Sequence, residues 1–149
     1  MCSLKDFLTL DHQLCFAIYE ASSQFTKLYT KVLHPFGITY PQYLVLLALW
    51  ENDGLTVKQL GERLNWGTGT LTPMIKRMEA NGWVKKERSS QDERKVAVFL
   101  QPKALEEKEA INQAIASEVS ACNIELAEYE QLMRQLKVLQ AKLINRANQ

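Results

Sequence analysis

Between Thr56 and Lys95 the spacing of the apolar residues changes twice, and those changes constrain the fold more than any other part of the chain. Val57, Leu60 and Leu64 recur at helical intervals, and Thr56 ahead of them is suited to cap a helix. Gly67-Thr68-Gly69 reads as a turn. A second helix, Thr70 to Ala80 by its pattern, starts near Gly69, because Pro73 is well tolerated only in a first turn. Asn81-Gly82 ends it, glycine being suited to the left-handed position after a helix. Residues 83–88 and 96–100 follow as two strands joined by the polar tip Ser-Ser-Gln-Asp-Glu-Arg-Lys. Two short helices, a tight turn and a hairpin in this order outline a helix-turn-helix with a β-wing, an arrangement suited to holding duplex DNA.

The second of those helices carries two unlike faces. Leu71, Met74, Ile75 and Met78 fall together as its inner side. Gly69, Pro73, Lys76, Arg77 and Ala80 fall opposite, flanked by Thr70 and Thr72. Small groups, hydroxyls and cations permit close approach to a major groove. The formal net charge is only +1, yet it is unevenly spread: residues 58–95 hold nine basic and five acidic side chains, net +4. The flanking stretches 1–57 and 96–149 are net −2 and −1. Positive charge therefore gathers on the stretch that would meet phosphates. A solvated mixed-charge surface accounts for the same numbers, since +4 is modest for a nucleic-acid binder.

The flanks read as helices. The first runs from about Leu8 to Leu33, with Leu10, Leu14, Ile18, Ala21, Phe25, Leu28 and Val32 as one stripe. Beside it lies a second stripe of Cys15, Tyr19, Ser22, Thr26 and Tyr29, so this helix is expected to pack against more than its own domain. His34-Pro35-Phe36-Gly37 breaks it, and a nearly all-apolar helix opens at Thr39-Tyr40-Pro41. After the wing, Pro102 starts a helix to about Cys122, with Leu105, Ile111, Ile115 and Val119 on one side. A last helix, 127–146, sets Tyr129, Leu132, Leu136, Leu139 and Leu143 in a coiled-coil-like seam.

With 149 residues and 46% hydrophobic content the chain can bury a core of its own. No apolar run approaches about 18 residues, so no membrane-spanning helix is expected, and the N-terminus lacks the pattern of a secretory signal. Three cysteines, Cys2, Cys15 and Cys122, form no CxxC pair, which argues against a disulfide framework or a zinc site. No cofactor is expected, and the cytoplasm is the natural compartment for reduced thiols. The fold class expected is mainly α with a small β-wing. Residues 1–149 make a single domain, 37–101 the winged helix-turn-helix, and 1–36 with 102–149 the N- and C-terminal helices of a dimerisation arm.

This layout resembles the MarR family of winged-helix repressors. Gln13-Leu14-Cys15-Phe16 with Tyr19, Ile38-Thr39-Tyr40-Pro41-Gln42-Tyr43-Leu44, and Gly69-Thr70-Leu71-Thr72-Pro73-Met74 with Lys76-Arg77-Met78 are similar to its organic-hydroperoxide-sensing branch, the OhrR-type repressors. Asp92-Glu93-Arg94 matches the wing motif of the wider family. The similarity covers about residues 10–100. Gly67-Thr68 departs from the Asp-Ser usual in the branch, which puts the operator sequence in doubt, and Gln101-Pro102 stands where a Thr usually caps the fifth helix.

The resemblance implies that Cys15 is the peroxide sensor, oxidised to a sulfenic acid, in a pocket lined by Tyr29, Tyr40 and Tyr19. Phe16, Phe25 and Tyr43 would supply an apolar wall favouring organic peroxides, and His12 electrostatic help. Tyr29 lies 14 residues beyond Cys15, about 21 Å along a straight helix. The two meet only if the first helix of another subunit packs antiparallel, which requires a two-fold homodimer and a pseudo-palindromic double-stranded operator. Cys122 is either a resolving thiol or a core residue, and without it a low-molecular-weight thiol would cap Cys15. Cys15 itself, read bare, is a small buried hydrophobe.

On the DNA side the expected contacts are Thr68, Thr70, Thr72, Lys76 and Arg77, with Arg94 entering a minor groove and Asp92 bracing it. The plain alternative for Asp92 and Arg94 is an exposed hairpin ion pair of little worth. Three other functions fit parts of the pattern: a repressor answering a phenolic ligand without thiol chemistry, a thiol peroxidase, and a winged-helix protein-interaction module. No nucleophile–base–acid constellation supports an enzyme.

Overall fold

The computed structural model describes residues 3–149, so Cys2, expected to have no specific role, lies outside the described residues. The elements run α1 (Leu14–Leu33), α2 (Tyr40–Glu51), α3 (Val57–Leu64), α4 (Thr68–Ala80), β1 (Val84–Arg88), β2 (Val96–Leu100), α5 (Pro102–Ala121) and α6 (Leu126–Ala147). Short 3-10 turns precede α1 and link it to α2. This is the helix-turn-helix and wing order expected, with helices on either side. No single helix among the described residues is long and apolar enough to cross a membrane. The chain divides within α5 into two compact units, Met1–Gln113 and Ala114–Gln149.

In the first unit α2 is the centre. Its start is fixed by a reciprocal cap: the Gln42 N–H donates to Thr39 Oγ1 at 3.3 Å, and the Thr39 N–H donates to Gln42 Oε1 at 3.1 Å. Such a cap is worth about 1 kcal/mol. Val45, Leu46 and Leu49 are fully buried, as are Leu33, Leu60, Leu71, Ile75, Met78 and Val98 of the same core. Each fully buried side chain of this size contributes about 1.5–3 kcal/mol. Thr56 and Gln59 repeat the reciprocal cap at α3. Wing residues pair in the register Val84↔Leu100, Lys86↔Val98, Arg88↔Val96.

The wing is anchored by the segment just before α3. The Val98 N–H donates to the Leu55 carbonyl at 2.8 Å, and the Gly54 N–H donates to the Val98 carbonyl at 3.1 Å. Asp53 Oδ1 accepts from the Leu100 N–H at 2.8 Å. Gly54 has φ +80°, and a Cβ there would stand 2.8 Å from Phe99 Cε1, so the position admits glycine.

Several boundaries differ from the sequence reading, each for a local reason. The first α-helix begins at Leu14, because Thr9 and Gln13 are extended and a 3-10 turn occupies Leu10–His12. The turn between α3 and α4 is Asn65-Trp66-Gly67, with Asn65 left-handed at φ 58°. Thr68 and Gly69 already belong to α4, so Pro73 sits past the first turn. Pro73 has no N–H to give the Gly69 carbonyl four residues back, so α4 runs through it with that one bond missing. Trp83 precedes β1 instead of opening it, its N–H donating to the Met78 carbonyl at 2.9 Å. On α5, Leu105 is exposed; Ala104, Ile111 and Ile115 are buried.

In the second unit, Tyr129, Leu132, Leu136 and Leu143 of the α6 seam are exposed. Apolar residues at this spacing are the usual mark of a helix-packing surface.

The tight α3–α4 turn gives a direct test. A Cβ on Gly61 would lie 2.7 Å from the Trp66 carbonyl oxygen, a backbone atom that cannot swing aside. Gly61→Ala is expected to lower unfolding free energy by about 1–3 kcal/mol in urea titration. An unchanged midpoint would mean that the turn yields freely.

Candidate functional sites

The recognition helix α4 shows the two faces predicted for it. Leu71, Ile75 and Met78 are fully buried, while Thr68, Thr70, Thr72, Pro73, Lys76 and Arg77 are exposed. Between α3, α4 and the wing lies a cleft of about 850 Å³, lined by Thr56, Lys58, Gln59 and Glu62, by Thr68, Thr72 and Glu79, and by Lys86, Arg88, Arg94 and Lys95. The structure therefore gathers Thr68, Thr72 and Arg94 into one cleft. Thr70, Lys76 and Arg77 lie on the exposed part of α4 outside its lining.

Four cations of this cleft, Lys58, Lys86, Arg88 and Lys95, escape the sequence reading. Strand alternation puts Val84, Lys86 and Arg88 on one side of β1 and is the signal that finds two of them. Glu79 is an acid among these cations and serves locally. Its Oε2 accepts the Lys86 N–H at 2.7 Å and ties α4 to β1.

At the wing tip one carboxylate oxygen organises the loop. Asp92 Oδ1 accepts from the Arg94 N–H at 3.0 Å and from Arg94 Nε at 3.2 Å. Ser89 Oγ accepts from the Gln91 and Asp92 N–H groups, completing the turn. The Arg94 backbone bond, then its guanidinium and the Lys95 charge, hold the Asp92 carboxyl below the ordinary carboxylate value. The Arg94 side chain remains 91% exposed.

A second cluster lies on α1 and α2. The Tyr29 ring is 4.8 Å from Tyr40, 5.9 Å from Tyr43 and 6.2 Å from Phe25, all edge to face. Tyr43 meets Trp50 at 6.3 Å, and its hydroxyl donates to Asn112 Oδ1 at 3.3 Å. Edge-to-face pairs add about 0.5–1.5 kcal/mol each to the burial of the rings. Burial also raises the Tyr40 hydroxyl above its ordinary phenolic value.

Of the residues assigned to the sensor pocket, the fold thus joins Tyr29 and Tyr40. Tyr43, read only as an apolar wall, packs against Tyr29 as well. Tyr19 is 70% exposed and stands apart in this chain, and Phe16 is half-buried. Cys15 is exposed, its thiol 3.8 Å from Gln13 Oε1. His12 shares a hydrogen bond with Thr9 Oγ1 at 2.6 Å. Cys122 is also exposed, its thiol donating to the Glu118 carbonyl at 3.4 Å. Neither thiol is a core residue of this chain.

A family model described as transcriptional regulator SarA/Rot matches residues 27–111. The chain belongs to that family. It is 52% identical over 95 residues to the organic hydroperoxide resistance transcriptional regulator of Bacillus subtilis, covering 64% of this chain. It spans about half to two thirds of the length of the curated relatives matched over this stretch, 65% for the Bacillus protein and 49% for a second regulator. The solved structure of reduced AbfR bound to DNA, AbfR being a protein of Staphylococcus epidermidis, superposes with TM-score 0.81. That match is 41% identical and covers 91% of this chain and 94% of that one. A mutant MarR from E. coli complexed with operator DNA superposes with TM-score 0.77 at 26% identity, covering 85% and 92%. The winged helix-turn-helix of MarR-like regulators is therefore the fold of this chain.

The Asp92 geometry fixes the sign of a pH response at the wing. A lowered carboxyl value means that the Arg94 contacts are complete above the ordinary value of 3.8 and are lost as pH falls through the lower one. The Arg94 amide resonance is expected to titrate with a midpoint below 3.8, and Asp92→Asn to abolish that step. A midpoint at or above the ordinary value would contradict the assigned contacts.

Proposed function

We propose that this chain is a homodimeric DNA-binding repressor in which oxidation of Cys15 by an organic hydroperoxide releases the operator. The observation that carries the reading is the division of α1. An exposed thiol stands near its first residue and a half-buried tyrosine cluster near its end, about 21 Å away on a straight helix. Two copies with antiparallel α1 helices bring each thiol to the other's Tyr29 and Tyr40. The exposed apolar residues of α1 and α6 supply surface for such a dimer. The likeness to the Bacillus regulator over 95 residues supports the same chemistry.

The Cys15 thiolate attacks the terminal peroxide oxygen. An S–O bond forms as the O–O bond breaks, and the alkoxide takes a proton and leaves as an alcohol, giving a sulfenic acid. A second thiol then displaces water to form a disulfide. That thiol is Cys122 of the other subunit or a low-molecular-weight thiol. AbfR is known reduced on DNA, overoxidised on DNA and in a disulfide form, which favours a disulfide as the releasing state here. Such a switch requires the reducing conditions of the cytoplasm.

Operator contacts fall to Thr68, Thr70, Thr72, Lys76 and Arg77 of α4, and to Arg94 at the wing tip, braced by Asp92. Lys58, Lys86, Arg88 and Lys95 add backbone attraction. A coupling of about 3 kcal/mol is enough for a 150-fold loss of affinity on oxidation. Measuring operator affinity before and after cumene hydroperoxide is expected to show release of the wild type and none of Cys15→Ser. Equal release of both would remove Cys15 from the mechanism. Arg94→Ala is expected to weaken reduced-state binding by about tenfold or more with thermal stability unchanged.

The tyrosine cluster also suits a second reading, a repressor answering a phenolic ligand without thiol chemistry. Intact-mass measurement under non-reducing conditions separates the two, since ligand sensing leaves Cys15 unmodified. The relatives are transcriptional regulators, and a regulator needs only stoichiometric oxidation; repeated turnover with a thiol reductant would favour a peroxidase instead.

A further inference from the structure

The first turn of α5, which follows the unusual Gln101-Pro102 start, is held from two sides by side chains that the operator and sensor assignments leave unused. From α2, the Trp50 indole N–H donates to the Ala104 carbonyl at 3.1 Å. The same indole ring lies against Tyr43, which packs on Tyr29 and hydrogen-bonds Asn112 farther along α5. On the other side, Lys103 Nζ donates to the Asn81 carbonyl at 3.1 Å and stands 4.6 Å from the centre of the Trp83 ring. Asn81 is the C-cap of α4. Trp83 joins α4 to the wing, its carbonyl accepting the Gln101 N–H at 2.9 Å.

Lys103 and Ala104 are neighbours in the chain, so one helical turn is bonded to the tyrosine cluster and to the end of the recognition helix at once. Ala104 is fully buried, and close packing prevents that turn from shifting without its neighbours. The Lys103 ammonium meets both the negative end of α4 and the face of an indole, two sites that favour a cation. We infer that Trp50 and Lys103 are positioning residues that couple the tyrosine cluster to the recognition helix through the first turn of α5. The inference rests on the proposed reading of that cluster as the place where oxidation of Cys15 is felt.

When the packing of Tyr29 and Tyr43 changes, Trp50 follows, Ala104 follows Trp50, and Lys103 passes the displacement to Asn81 and Trp83. An effect of this kind changes the difference between two states, not the affinity of either alone. The readout is therefore a ratio: operator Kd after cumene hydroperoxide divided by operator Kd of the reduced protein. Full-length wild type, Trp50→Phe, Lys103→Met and Lys103→Arg are compared. Trp50→Phe keeps a ring and removes the donor. Lys103→Met removes the cation from an exposed position, and Lys103→Arg retains it.

The expected result is a ratio reduced by about tenfold in Trp50→Phe and Lys103→Met and restored in Lys103→Arg, with both affected variants still binding operator when reduced. A merely structural role would weaken reduced and oxidised binding alike and leave the ratio at the wild-type value. That outcome overturns the inference while the peroxide reading stands. A wild type that peroxide does not release overturns both.

Discussion

The contact of the Trp66 carbonyl oxygen with the bare Cα of Gly61 determines how α3 and α4 meet. With no side chain at 61, the chain can close on itself through the left-handed Asn65 and start α4 at once. Leu71, Ile75 and Met78 then point into the core, and the threonines and cations of α4 are left outside. The Asp53–Leu100 and Leu55–Val98 bonds do the corresponding work for the wing. Together these few contacts fix the cleft whose rim carries Lys58, Lys86, Arg88, Arg94 and Lys95.

The aromatic cluster is built from larger, softer contacts. Tyr29, Tyr40, Tyr43 and Trp50 pack ring edge to ring face across α1 and α2. Such pairs tolerate sliding better than a backbone contact at the van der Waals limit. A rigid turn and a pliable aromatic cluster would suit the proposed switch, because strain entering the cluster would not be absorbed in the α3–α4 turn.

Much of this is legible in the sequence, and the reasons for the rest are particular. The inner face of α4 follows from the helical period of Leu71, Ile75 and Met78, and the two reciprocal caps from Thr three residues before Gln. The start of α4 is misplaced by sequence because Pro73 ordinarily marks a first turn, whereas here the helix begins at Thr68 and runs through Pro73 with one backbone bond missing. The α1 stripe extends too far upstream in the sequence because Leu10 fits its period, whereas Gln13 breaks the helix by its backbone. Tyr43 looks like a core residue and is one, yet its place between Tyr29 and Trp50 depends on how α1 folds back on α2. Cys15 and Cys122 lie outside the core of one chain, a matter of tertiary environment that the helical period of their neighbours does not specify.

Asp92 has a further consequence at the wing tip. It accepts the backbone N–H of Arg94 and, by one side-chain bond, its Nε, while the two terminal guanidinium nitrogens stay outside that contact. That bond biases the orientation of a side chain that remains 91% exposed, ahead of any partner. The same carboxylate, 3.2 Å away, repels a phosphate that approaches the tip from its side. In the proposed operator contact Arg94 would therefore suit a neutral edge carrying acceptors better than a bare anion.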